Sequence, residues 1–443
     1  MVGEGAESVE FLSAEKVGLP IDLLHQSAAV RFQDFCFLSG VRATDTHDVV
    51  VPEAQPADGL PFHSSPAELQ ARVVLNRIAA VMEGLGGSLE DGVYIEQYFT
   101  KREYFEPYRT VGKDYLPSDR PPSTAVPCES LSAEGAVLEV DLTAVLTEDR
   151  STRHRISTSE SPTVLGGYAQ GVRVGDWIFL AGATPADHTR TASPFPGAMG
   201  TAVAPEARVD PNLWYGSAIE RQVEYIITSK QGAVLEAAGS SIEDIVKADV
   251  YLSHPHEDLR GFHNAWRSLF GDRAPATTVV PINGFGSEGS RVEIGVVALA
   301  KDANASVERV TAPSVPSPAG PYPHAVRAGN LLFISTLIAA DDGGLVDIAR
   351  PGSASRNARP QVVDEMEYCL GILSDICSAT GTSLKNVLRR KNFFTDITDL
   401  FAADSVVRSV WPADPPASTN VGVAGPHIVP GARVAMDVVV AVT

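Results

Sequence analysis

The chain has 443 residues, more than the roughly 250–300 at which one hydrophobic core stops growing, so it divides into several domains. Its formal charge of -20 opposes phosphate backbones and anionic membrane surfaces, which argues against nucleic acid and membrane as partners; 44% hydrophobic and 20% charged residues are ordinary for a soluble globular protein. No stretch approaches the roughly 18 uninterrupted apolar residues of a membrane helix, and the first residues lack the basic and apolar regions of a signal peptide, so a cytoplasmic location is expected. Cys36, Cys128, Cys369 and Cys377 give neither a disulfide framework nor a CxxC metal pattern, and read as buried thiols.

In chain order, Ala29-Val30-Arg31-Phe32, a turn at Gln33-Asp34 and Phe35-Cys36-Phe37-Leu38 predict a hairpin that runs into Ser39-Gly40. Ser65-Pro66-Ala67-Glu68 is a capping box with proline at the first helical position, and Val74, Ile78, Val81 and Leu85 follow at helical spacing. Val93 to Phe99 and Val137 to Val145 read as strands, with Pro121-Pro122-Ser123-Thr124 between them.

The same order then recurs. Val172-Arg173-Val174-Gly175-Asp176 and Trp177-Ile178-Phe179-Leu180 reach Ala181-Gly182, Ser217-Ala218-Ile219-Glu220 repeats the capping box, Ile245 to Leu252 and Val292 to Leu299 are strands, and Pro275-Ala276-Thr277-Thr278 is the late landmark. A third round runs from Ser317-Pro318-Ala319-Gly320-Pro321-Tyr322 through Leu331-Leu332-Phe333-Ile334 to Ser335, the helical positions Val362, Met366, Cys369, Leu373 and Ile376, the strands Val387 to Phe394 and Val434 to Val442, and Pro416-Ala417-Ser418-Thr419. Each round is the size of a domain rather than of a solenoid repeat of roughly 20–50 residues. Three α+β units are expected over 1–150, 151–305 and 306–443, each with helices on one face of a sheet, joined by connectors near 146–165 and 301–320 whose polar composition buries little.

The opening Ser317 to Tyr322, the apolar strand ending in Ser-Gly or its variant, and the late Pro-x-x-Ser/Thr landmark together resemble the RidA/YjgF family. The resemblance implies small chorismate-mutase-like domains that form trimers with active sites between neighbouring subunits, and a cofactor-independent activity in which reactive enamines and imines are hydrolysed to ketones and ammonia. Three fused copies would then form a single-chain pseudo-trimer with three non-identical clefts, present as a monomer or a dimer of such pseudo-trimers. The first copy is the most divergent, with Gln26 at the tyrosine position.

The family's deaminase motif places an arginine two residues after the late proline, where it grips a substrate carboxylate; this chain has Ser123, Thr277 and Ser418 there, and a hydroxyl offers one donor and no charge. The closing-strand glutamate, which the resemblance implies positions the attacking water, is kept as Glu139 and Glu293 and replaced by Ala435 in the third copy. The second copy keeps most of the pattern. Its expected site has Glu293 as general base, Tyr168 as hydrogen-bond donor, the Gly182 amide at an oxyanion, Thr277 and Thr278 on the wall, and Asn264 from the second helix. Glu139, Ser123, Ser418 and Tyr322 are the corresponding candidates in the other copies. His254-Pro255-His256 lacks a third ligand at diagnostic spacing, so neither metal nor cofactor is expected.

Two functional classes follow. One is a cofactor-free hydrolase or deaminase that acts on a C=N or related electrophilic carbon of a small-molecule substrate less anionic than the arginine-bearing members take. The other is a non-catalytic module that binds a metabolite or serves as a scaffold. A cyclic-amide ring-opening amidohydrolase is a variant of the first, but the Ser-Lys dyads it needs are not evident. The enzyme reading is favoured.

Overall fold

The first two units begin their helical layers with an N-terminal capping box that the sequence encodes, whereas the first helix of the third unit begins after Pro360 without a side-chain cap. In the first, the Ser65 hydroxyl accepts from the Ala67 amide at 3.2 Å while Glu68 accepts from the Ser65 amide at 2.9 Å, and helix α1 (Pro66–Gly84) then buries Val74, Leu75, Ile78 and Val81. The computed structural model describes residues 8–20, 24–57, 64–116, 120–189, 202–210, 212, 217–341, 343–350 and 359–443. A second helix follows, α2 (Phe105–Tyr115). In the second unit Ser217 and Glu220 repeat the capping box and start α3 (Ala218–Tyr225), which passes through a π-helical turn at Ile226–Gln231 before resuming as α4 (Gly232–Ala237) and is followed by α5 (Pro255–Phe270). The third unit has α6 (Gln361–Ala379) and α7 (Leu400–Val410).

The three sheets share one topology. In the second, the strand order is Ala276–Pro281, Ile245–Leu252, Val292–Leu299, Trp177–Ala183, Gly171–Val174 and Arg153–Ile156. The closing strand Val292–Leu299 lies antiparallel between the hairpin and Ile245–Leu252, and the strand carrying the late landmark is a parallel edge. The connectors differ from the expectation, because Arg153–Ile156 and Val307–Val310 inside them are strands paired to Gly171–Val174 and Ala325–Ala328. An edge strand needs main-chain partners rather than an apolar face, so polar composition hides it.

One face of each sheet carries helices, and the opposite faces pack against one another. Val30, Phe32 and Phe37 of the first unit, Val172, Val174 and Phe179 of the second, and Val326, Phe333 and Val439 of the third form one buried cluster. Trp177 joins them, with ring centroids 5.1 Å from Phe35 and 6.0 Å from Phe333. The parallel edge strand of each unit meets the next in one rotational sense. Thr336 of the third unit donates its amide to Thr277 at 3.0 Å, and Gly40 of the first donates to Ser418 at 3.0 Å.

Beside this apolar cluster lies a buried charge network built from all three units. Ladder register places Glu96 opposite Asp141, Asp249 opposite Gly295, and Lys391 opposite Asp437. Lys247 reaches Asp437 at 2.5 Å and Asp249 at 3.2 Å, Arg389 reaches Asp437 at 2.5 Å, and Lys391 pairs with Glu96 and with Asp141 at 3.1 Å. Where the second unit has Gly295, the Tyr94 hydroxyl of the first unit fills the space a side chain would need.

Candidate functional site

The three contacts between units create three clefts, and their contents differ. Between the second and third units the cleft is closed by direct bonding: the Thr277 amide donates to Ser335 Oγ at 3.1 Å and the Val279 amide to Thr336 Oγ1 at 2.9 Å. Here Ala435 has replaced the glutamate, and threonine has replaced the glycine that stands at Gly40 and Gly182 in the other copies. The two losses belong together, because a Cβ at Gly40 would collide with the Glu139 carboxylate and one at Gly182 with Glu293. A glutamate on the closing strand requires glycine opposite it.

Between the third and first units the glutamate is present but engaged. Glu139 accepts from Arg42 Nη1 at 3.0 Å and from the Asn420 amide at 3.2 Å, with both side chains of the ion pair buried. The cleft between the first and second units is open, with a cavity of about 300 Å³. Ser123, Ala125 and Pro127 of the first unit form one wall, Gly182, Lys230 and Glu293 of the second another, and Phe99, Phe105, Val164 and Phe285 an apolar extension. A cavity of this size suits a small organic molecule.

Glu293 is the carboxylate that lines the cavity. Its ladder position beside Tyr251 on a central strand fixes the backbone, and its carboxylate is partly exposed, to the cavity that it lines. Among the described residues no side chain lies within ion-pairing distance of it. Burial pushes its pKa up to about 7, with the Lys230 charge opposing the shift. Lys230 lies on the π turn and donates to the carbonyls of Thr184 and Ala186 at 2.9 Å each; burial lowers its pKa to about 8, against Asp187 and Glu293. Single π turns inside α-helices frequently mark functional sites.

Of the residues expected from sequence, the structure therefore brings Glu293, Gly182 and Ser123 together. Others lie elsewhere. Thr277 and Thr278 do not wall the Glu293 cavity: each late strand faces the next unit, so Thr277 Oγ1 accepts from Trp266 Nε1 at 3.2 Å in the neighbouring cleft and Thr278 donates to Asp437 at 2.9 Å in the central network. Tyr168 is buried against the first unit with the Arg120 guanidinium 5.4 Å from its ring centre, because the Ala169 amide ties that segment to Arg120. Asn264 donates to Glu220 at 3.0 Å on an exposed helix face. Tyr322 is buried with its ring 6.3 Å from that of His263, the Ser418 amide donates to Ser39 Oγ at 2.8 Å, and Glu139 is taken by Arg42. Sequence reasoning missed Lys230. Its signal is a single extra residue between Gln222 and Ser241 relative to the spacing of Gln70 and Ser88, which bond in matching ways.

Gly182→Ala is expected to displace the Glu293 carboxylate, since the new methyl would fall within van der Waals distance of its oxygen and of the Thr124 hydroxyl. A crystal structure of the variant checks this directly. An unmoved carboxylate would mean that the strand gives way instead.

The family model described as endoribonuclease L-PSP matches residues 23–146, 158–300 and 312–442. A RutC family protein of Saccharolobus solfataricus is 30% identical over 128 residues, which cover 29% of this chain and 83% of that protein. The 2-iminobutanoate/2-iminopropanoate deaminase of Dermatophagoides farinae is 24% identical over 133 residues, 30% of this chain and 94% of that protein. Among solved structures, RidA from an Antarctic Psychrobacter species matches with a TM-score of 0.26 at 23% identity, covering 33% of this chain and 98% of that one. With three consecutive matches that take up most of its length, the chain belongs to the endoribonuclease L-PSP family, also called RidA/YjgF, as three fused copies of its domain.

Proposed function

We propose that the cleft between the first and second units hydrolyses a carbon–nitrogen double bond, an imine or its enamine tautomer, with Glu293 as general base and no cofactor. The observation that carries this reading is the Glu293 carboxylate facing an open cavity with no ion-pair partner among the described residues, at a pKa of about 7 where a carboxylate is a useful base near neutrality. A water between Glu293 and the substrate loses its proton to the carboxylate as its oxygen bonds to the imine carbon and the π electrons pass to nitrogen. The carboxyl group returns that proton to the nitrogen, giving a carbinolamine; the carbinolamine hydroxyl then passes its proton through Glu293 to the same nitrogen as the C–N bond breaks and the C=O bond forms, and ammonia and a carbonyl compound leave.

Family membership supports the reading, since one relative is named as a 2-iminobutanoate/2-iminopropanoate deaminase. Substrate preference departs from that name. Ser123 stands where the resemblance implies an arginine, and Phe99, Phe105 and Phe285 extend the cavity with apolar surface, which favours a bulkier and less anionic imine. The test is ammonia release from a panel of imines graded in size and charge. No acceleration of any of them over the buffer rate would end the reading.

Acidification acts on Glu293 directly. Turnover requires its ionised form, so kcat/KM is expected to rise with pH through about 7. The Lys230 charge favours that ionised form, and Lys230→Met should raise the Glu293 pKa and move the acid limb of the pH profile to higher pH. A limb that stays in place, or moves down, contradicts the assignment of Glu293 as the titrating group.

A further inference from the structure

Two closing strands carry a glutamate at the same ladder position, opposite Tyr98 and Tyr251, and an arginine stands before one of them. Beside Glu139 the place is filled: Arg42 Nη1 donates to it at 3.0 Å and Arg42 Nη2 lies 3.3 Å from Asp48. Arg42 follows Gly40 by two residues, and in the second unit the residue two after Gly182 is Thr184. The loops are tied to their helices in the same way. Arg77 Nη1 donates to the carbonyls of Arg42 and Thr44 at 2.5 and 2.7 Å, as Lys230 donates to those of Thr184 and Ala186. The main chain is held alike in both units, and where one has a guanidinium the other has a cavity that Thr184 lines.

We infer that the cavity beside Glu293 takes a ligand whose planar cationic N–H group, an amidinium, guanidinium or protonated imine, occupies the place that the Arg42 guanidinium holds beside Glu139. A planar N–H fork matches a carboxylate edge, and a carboxylate with no ion-pair partner among the described residues is stabilised by a cation brought to it, even in a cavity that Arg102, His188 and Lys230 also line. Lys230 does not forbid this, because Arg77 stands in the same relation to Arg42 and the guanidinium is accommodated there. The remainder of the cavity, with Phe99, Phe105 and Phe285, calls for an apolar and preferably aromatic body on the ligand. The inference deepens the hydrolase reading, since a protonated imine is the reactive member of the class. Binding is measured without turnover, so the two fail separately.

The test is calorimetric titration of the full chain at pH 8, where Glu293 is ionised, with benzamidine, benzamide and benzoate, which share a ring and differ in charge. Benzamidine is expected to bind once per chain, and benzamide about tenfold or more weakly, as befits loss of a charge-assisted hydrogen bond. Glu293→Gln should reduce benzamidine affinity by a similar factor. Thr184→Arg supplies the cation from within and is expected to abolish benzamidine binding while the variant stays folded. Tighter binding of benzoate than of benzamidine would make Lys230 the anchor and overturn the inference. So would equal affinity for all three, no binding of benzamidine, or an unchanged affinity in folded Thr184→Arg; if that variant fails to fold, Glu293→Gln decides alone.

Discussion

Glu293→Gln is expected to lower kcat/KM for imine hydrolysis by about 10²–10⁴-fold, the usual contribution of a positioned general base. Glutamine keeps the volume that Gly182 accommodates, so the fold and the cavity walls should survive and the loss reflects the missing base. Glu139→Gln supplies the contrast. Its carboxylate is already bonded to Arg42 and the Asn420 amide, leaving it no room to orient water, so its replacement should leave turnover near that of the parent. It should instead lower stability, because the buried Arg42 charge then loses one of its two carboxylate partners and keeps only Asp48. Steady-state kinetics on both variants, with circular dichroism as a check on folding, separates the outcomes. Equal losses would move the working site to the other cleft, and no loss in either would remove water activation by these carboxylates altogether.

Asp437→Asn is expected to destabilise the whole chain by about 3–5 kcal/mol, the cost of breaking a buried ion pair from one side. The Asp437 carboxylate meets Lys247 and Arg389 at 2.5 Å each and accepts from Thr278 at 2.9 Å, so the amide would leave two buried cations from two units short of a counter-charge. Burial alone would raise the Asp437 pKa, but Lys247 and Arg389 hold it well below the ordinary carboxylate range. Its contribution is thus present above that range and is lost only as pH falls through the depressed value, so mild acid should leave it intact. Urea unfolding followed by fluorescence and circular dichroism measures the shift; the midpoint is the quantity to compare, since three domains need not unfold in one step. An unchanged midpoint would show that the network is compensated by residues outside it.

The fold was legible because its landmarks are written three times, and each hairpin, helix and closing strand keeps its order even where composition drifts. The glutamates were legible for the same reason. What escaped was whatever depends on the turn from one unit to the next. Thr277 and Glu293 lie close in sequence yet face different clefts, because the parallel edge strand of one unit closes on its neighbour. Arg42 gave no signal, since the loop after Gly40 carries no landmark, yet its guanidinium is what occupies Glu139. Lys230 owes its place to a one-residue insertion that becomes a π turn, and helical periodicity tolerates such an insertion without visible disruption.

The central network makes the three copies into parts that cannot be exchanged. Glu96 and Asp141 come from the first unit, Lys247 and Asp249 from the second, and Arg389, Lys391 and Asp437 from the third. An assembly of three first units would set Glu96 and Asp141 three times over around the centre with no cation among them, a burial that carboxylates do not tolerate in ionised form. Tandem genes invite one copy to overwrite another by recombination, and spreading the first copy's residues to all three units would leave these buried carboxylates without a cation. Moving the termini by circular permutation, in contrast, leaves each pair in place. At these positions, therefore, the three copies cannot all carry the first copy's residues.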